Sequence, residues 1–301
     1  AEDTAGRFFL ERDMRTFCMT LGGIAMCVRG PEPLEAGGAL TPFLTADAAP
    51  ELEITICPGG GPLPVPAEPL AGKDLLLYYY RTQEGLVCQS MGRFGPVSSV
   101  CWAPGRRRFA FDVNERDYPH IFETVEKVLQ LFPVRRVLLE RQAVLLHASQ
   151  VALDGRGILF TAPSGTGKTT QARLWRDTLG ADIVCNDRVI LRRHAEGWKS
   201  YGFPVDGDEP AGNWGVHRPA AIVVLSQGPE NRVARLRPGP AGARLMSQTV
   251  MDVWDGEMVR EVMMLWVRLL EEIPVYALSC RPDTDAVETL YQQLRRDGAM
   301  P

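Results

Sequence analysis

The chain has 301 residues, 45% of them hydrophobic and 23% charged, an ordinary globular composition on a length that suits two domains of roughly 100–200 residues each. Thirty-three Lys and Arg against 37 Asp and Glu leave a net charge of −4, which argues against nucleic-acid binding through a basic surface. No apolar run approaches the roughly 20 residues of a membrane span, and no secretory h-region opens the chain.

From the N-terminus, alternation and turn chemistry indicate a β-rich region. Leu52–Cys57 alternates, Leu75–Tyr80 is apolar and aromatic, and the turn around Gly85 joins that run to Leu86–Met91 as a hairpin. Val97–Trp102 and Arg108–Val113 flank Pro104-Gly105 as a second hairpin, while the segment from Gly59 to Pro69 reads as an irregular loop. Tyr118–Phe132 has helical spacing, with Ile121, Val125, Val128, Leu129 and Phe132 on one side, and Pro133 ends it. Ala143–Leu146 and Gly157–Thr161 then read as strands, linked by Val151–Leu153 and a tight Asp154-Gly155 turn, and Thr169–Leu179 as a helix stopped by Gly180. Ile183–Cys185, Val189–Leu191, Trp198–Phe203, Ala221–Leu225 and Val275–Ser279 are further strands, with helices over Met258–Leu270 and Asp283–Arg295. This alternation predicts an α/β layer architecture for residues 141–301, preceded by a β-rich α+β scaffold or recognition domain over residues 1–140.

One segment carries chemistry. Ala162-Pro163-Ser164-Gly165-Thr166-Gly167-Lys168-Thr169 follows the phosphate-binding pattern G-x-x-x-x-G-K-[ST], with Ala162 in place of the first glycine and Thr170 after it. Gly165 and Gly167 let the backbone curl so that N–H groups converge on a polyphosphate, and the following helix adds its positive end. Lys168 has the reach for β- and γ-phosphates, and Thr169 offers a hydroxyl to Mg²⁺. Nucleotide contacts are therefore expected at Pro163, Ser164, Gly165, Thr166, Gly167, Lys168, Thr169 and Thr170, with ATP and Mg²⁺ as the bound groups. Asp187 follows an apolar strand, where a carboxylate faces the metal and γ-phosphate, and His147 ends the strand before the loop.

Taken together, L-H-A-S at 146–149, S-G-T-G-K-T-T at 164–170 and N-D-R at 186–188 resemble the HPr serine kinase/phosphatase family, whose P-loop fold is shared with phosphoenolpyruvate carboxykinase. The resemblance spans Leu145 to Glu209 and leaves the N-terminal half untouched. It implies His147 as the catalytic histidine, Lys168 as the phosphate-loop lysine, Thr169 as the metal-binding hydroxyl and Asp187 as the general base towards an acceptor hydroxyl. The family's first carboxylate is Asn186 here. Glu209 is similar in position to the metal-binding glutamate, with Asp206 and Asp208 as neighbours able to substitute.

The resulting expectation is an ATP-dependent kinase acting on a hydroxyl, most simply a serine, of a protein, a peptide or a free small molecule. The rival is a non-catalytic ATP-binding regulatory or assembly module with a partner-binding N-terminal domain. A cytoplasmic protein is expected, with no nucleic-acid or membrane partner and with oligomerisation left open. Arg188, Arg192, Arg193, Arg232, Arg235 and Arg237 are candidates for an anion-facing group, Arg188 foremost. Met258, Met263, Met264, Trp266 and Leu269 read as core. Seven cysteines, odd in number and without C-x-x-C spacing, are expected as free, mostly buried thiols.

Overall fold

In the computed structural model, residues 13–46, 49–59, 61–71, 77–120, 122–204 and 215–301 are described. The chain divides into two units, Ala1–Pro133 and Val134–Pro301.

Strands β1 (Met14–Leu21), β2 (Ile24–Pro31), β3 (Leu52–Pro58), β4 (Leu77–Arg81), β5 (Leu86–Gly92), β6 (Gly95–Trp102) and β7 (Arg108–Val113) form one mixed sheet in the first unit, in the order β1-β2-β3-β7-β6-β5-β4. Alternation in β3 is the expected kind: Leu52, Ile54 and Ile56 are buried, while Glu53, Thr55 and Cys57 are partly exposed. The helical run is shorter than its spacing predicts. Helix α1 covers Val125–Leu131, because Thr124 takes extended angles and its side chain accepts from the Lys127 N–H as an N-cap. Tyr118 and Pro119 lie in turns before it, and Ile121 falls outside the described residues.

Cys18 and Cys27 form a disulfide between directly opposite positions of β1 and β2, which corrects the expectation of free thiols throughout. Nine residues of sequence separation hid a pairing that only the hairpin register creates. Cys57, Cys88, Cys101, Cys185 and Cys280 are not disulfide-bonded.

In the second unit, α2 (Val134–Glu140) leads into β8 (Ala143–Leu153), β9 (Arg156–Thr161), α3 (Lys168–Leu179), β10 (Asp182–Cys185), β11 (Arg188–His194), β12 (Gly197–Gly202) and β13 (Arg218–Gln227). Then follow β14 (Arg232–Arg235), α4 (Pro238–Gln248), α5 (Gly256–Glu272), β15 (Val275–Cys280) and α6 (Thr284–Arg296). The sheet order is β12-β11-β8-β9-β13-β15-β14, with β10 also paired to β8. β9, β13 and β15 run parallel, and β8 is antiparallel to β9. Both sheets are mixed, so the protein is α/β in class.

β8 carries the strand expected over Ala143–Leu146 on through Leu153, so the segment read as a linker is strand. Its first part pairs with β11 and its second with β10, so one 11-residue strand spans a stretch whose local apolarity marks only its start.

Side chains on the two faces of this sheet build two cores. One gathers Leu146, Leu159, Val189 and Ile222 beneath α4 and α5, and the other gathers Phe160, Val223 and Leu278 beneath α3 and α6. α5 buries Met258, Val262, Leu265, Trp266 and Leu269 at helical spacing. Met263 and Met264, expected as core, are 47% and 48% exposed, because they sit on the opposite side of that helix. Ahead of α5, Asp252 is buried between Arg135 and Arg136 (2.5 and 2.7 Å), and Asp255 both caps α5 and pairs with Arg136 at 2.9 Å. This network fastens α2 to the start of α5.

Trp175 of α3 is fully buried, with its ring 5.9 Å from Phe160 and 6.1 Å from Tyr291, so it joins β9, α3 and α6. Trp175→Ala should cost about 3–5 kcal/mol, the usual range for a large buried aromatic. Urea unfolding should show a lower midpoint with an unchanged slope, and an unchanged midpoint would remove Trp175 as the joint of this core.

Candidate functional site

β9 runs directly into the glycine loop, and α3 starts at Lys168. Gly165 has φ +76° and Gly167 φ +117°, left-handed angles that side-chain-bearing residues rarely adopt, so both positions require glycine. Ala162 is different. It is not among the residues with left-handed angles, and its methyl is buried in the core under α3, which explains why alanine serves where the motif usually has glycine.

Gly167 caps α3 without a side-chain hydrogen bond, which leaves the first N–H groups of this 12-residue helix without a side-chain acceptor. The Lys168 ammonium folds back over the loop and donates to Ala162 O at 3.1 Å and Pro163 O at 3.5 Å. Burial pulls its pKa below the ordinary lysine value, and the nearby Asp187 charge opposes that pull. Thr169, next in the helix, is partly exposed.

His147 and Asp187 come together through strand register. In the antiparallel β8–β11 ladder Arg188 stands opposite His147, and the Ala148 N–H donates to Asp187 O at 2.9 Å. His147 Nε2 lies 3.2 Å from Asp187 Oδ1, and Arg188 Nε lies 3.4 Å from Asp187 Oδ2. The carboxylate is 30% exposed. Burial pushes its pKa up, but the His147 hydrogen bond and the charges of His147, Arg188 and Lys168 together hold it below the ordinary aspartate value.

Ser149 escaped the sequence reading as a site residue. Two positions beyond His147 on β8, it is fully buried and donates to Lys168 O at 3.1 Å, tying the first turn of α3 to the strand. Thr161 donates to His147 O at 2.8 Å, so the last residue of β9 grips β8 beside the histidine. Small hydroxyl residues in apolar strands were the available signal. Among the described residues, the buried Asn186 Oδ1 has no hydrogen-bond partner. Burial pushes the Cys185 thiol up, so it stays protonated and unreactive.

Glu209, Asp206 and Asp208 lie outside the described residues. The candidate arginines do not converge: Arg188 stands beside Asp187, Arg232 pairs with Glu230, and Arg235 lines a cavity at the far end of the sheet.

The loop suits an anion: two left-handed glycines, an uncapped helix start and a desolvated ammonium bound only to carbonyls. For a metal, the described residues hold no group of three or more His, Cys, Asp or Glu. A Mg²⁺ shared by one hydroxyl, one carboxylate, phosphate oxygens and water needs no such group.

Fold and site thus define an α/β protein with a glycine loop at the C-terminal end of a central strand. The model of the family described as SynChlorMet cassette protein ScmC matches residues 117–294 of the 301. The chain belongs to that family. Comparison with curated proteins returns no match. Among solved structures, the HPr(Ser) kinase/phosphatase from Coxiella burnetii is similar at 14% identity and a TM-score of 0.31, over 52% of this chain and 99% of that one. A likeness that loose assigns nothing to this protein.

The opposed influences on Asp187 give a direct test. The Asp187 carboxylate should titrate below the ordinary value of about 3.9. Because its folded pKa is depressed, the stability it contributes is present above the unfolded value and is lost as pH falls through the folded one. In His147→Ala the burial penalty faces only the Arg188 and Lys168 charges, so the midpoint should rise. Carbon-detected NMR of the side-chain carboxyl reads both, and an unmoved midpoint would mean that the His147 contact does not hold the carboxylate.

Proposed function

We propose that the second unit binds the polyphosphate of ATP on the glycine loop and transfers the γ-phosphoryl group to a hydroxyl acceptor. The observation carrying this reading is the convergence of Lys168, buried against the loop carbonyls, with the His147–Asp187 pair across the β8–β11 ladder.

Backbone N–H groups from Pro163 to Thr170 and the start of α3 would hold the phosphates, with Lys168 leaving its two carbonyl partners for the β- and γ-oxygens. Thr169 would hold Mg²⁺ through its hydroxyl, with Glu209 as a further ligand. Bound together, nucleotide and metal supply the transferable phosphoryl group and neutralise the charge that develops on it. Asp187 is ionised at neutral pH, so it is ready to accept the acceptor's hydroxyl proton at a carboxylate oxygen. His147 orients that carboxylate through its 3.2 Å contact, and Arg188 steadies the other oxygen. The acceptor is a serine-like hydroxyl of a protein, a peptide or a small molecule, and its selection is assigned to the N-terminal unit.

Two variants separate transfer from binding. Lys168→Ala should lose both Mg-ATP binding and turnover, together with the stabilisation of about 2.7 kcal/mol expected when nucleotide is present at 100 times its Kd. Asp187→Asn should keep most nucleotide affinity and lose about 10²–10⁴-fold in phosphoryl transfer, the usual share of a positioned base. Calorimetric titration and radiolabel transfer on the same preparations measure both. Equal losses in Asp187→Asn would make it a metal ligand first. Unchanged transfer would favour the non-catalytic ATP-binding module, and no nucleotide binding by the parent protein would overturn the reading.

A further inference from the structure

Helix α5 is apolar on two sides. Its inner side packs towards the sheet, as described above, through the five residues from Met258 to Leu269. On the outer side Met263, Met264 and Val267 are 47%, 48% and 48% exposed. At about 100° per residue these three fall within one third of the helix circumference. Val259 and Leu270, both partly buried, continue the strip along the edge nearest α4, where Leu270 lies 3.7 Å from the place a Cβ on Gly242 would take. A surface helix ordinarily turns polar residues to water on this side, and a contiguous apolar strip there marks a contact surface.

The charges beside the strip select what covers it. Arg260, Glu261, Arg268 and Glu271 are exposed, and among the described residues none of the four makes an ion pair or a side-chain hydrogen bond within the chain. Glu261 and Arg268 lie seven residues apart on one flank, and Arg260 and Glu271 lie eleven apart along the outer side. Both pairs are centred at the level of Leu265, and so are Met263 and Val267. A second α5 running antiparallel about a two-fold axis at that level sets Arg260 against Glu271 of the second copy and Glu261 against its Arg268. The axis repeats each contact, so four opposite-charge pairs form around an apolar centre in which Met263 meets Val267 of the second copy. Glu272, which this register would bring near Glu257 of the second copy, is turned aside, with Oε2 3.6 Å from the place a Cβ on Gly197 would take. A parallel pair in register would instead set every charge against its like.

We propose that the outer side of α5 is a dimer surface, on which a second copy of this chain docks antiparallel about a two-fold axis at Leu265. An apolar centre within a charged rim is the ordinary anatomy of such a contact, and methionine adapts its shape to a facing copy. The engaged helix, from Arg260 to Glu271, is about 16 Å long at about 1.5 Å per residue. So small a surface gives a reversible dimer, with a Kd on the order of micromolar. The inference is independent of phosphoryl transfer.

Sedimentation velocity of the full chain, from sub-micromolar to submillimolar concentration, tests it. A shift from monomer to dimer is expected across that range. Arg268→Glu sets like charges together twice and should weaken the dimer at least about tenfold. Adding Glu261→Arg exchanges the two signs within one chain, restores the complementarity and should return the dimer to near the parent strength. Both positions are exposed, so the circular dichroism and the melting temperature of dilute protein should not change. Lys168→Ala should dimerise like the parent, which keeps this result apart from that of the glycine loop. A parent chain that stays monomeric throughout would overturn the proposal, as would a dimer indifferent to Arg268→Glu. Failure of the exchanged pair to recover would overturn the antiparallel pairing.

Discussion

Antiparallel pairing between β8 and β11 is the contact on which the candidate chemistry depends. Setting Arg188 opposite His147 brings Asp187 within 3.2 Å of the imidazole, and a slip by one residue would send His147 to the other face of the sheet. The same strand presents Ser149 to the first carbonyl of α3, so helix, loop and ion pair are all referenced to β8. Thr161 closes the arrangement from β9 through its bond to His147 O. Because β8 is bonded on both edges, its side chains have little freedom to move relative to one another.

Electrostatics at this centre is a balance between burial and charge. Lys168 and Asp187 are both partly desolvated, which disfavours the charged form of each, and each supports the other's charge. The lysine's fallback onto two loop carbonyls keeps its ammonium hydrogen-bonded, at 3.1 and 3.5 Å, longer than the contacts a charged donor makes to an anion. The buried Asp252 carboxylate meets a comparable problem by ion-pairing with both Arg135 and Arg136. Removing one member there would leave an uncompensated charge, a far costlier event than loss of a surface pair.

Legibility in the sequence followed the range of the interaction. The loop and its helix were readable because a glycine pair, a lysine and an apolar strand lie within a dozen residues, and α3 differs from expectation only by starting at Lys168. β7 matches its expected range for the same reason, since alternation between two turns is a local signal. β14 was hidden because four residues rich in arginine have no apolar pattern, and they become a strand only through pairing with β15. The β1–β2 hairpin and α2 also went unread, and the Cys18–Cys27 bridge within that hairpin went with them.

By itself the sequence determined where the chain turns tightly, which segments bury a face, and that a phosphate-type loop joins a strand to a helix, because each depends on a few neighbouring residues. Tertiary structure alone decided that His147 meets Asp187, that Ser149 fastens Lys168, and that Met263 and Met264 face outward on α5. These are outcomes of strand register and helix orientation, which arise from packing summed over whole elements, and no local window of sequence contains that sum.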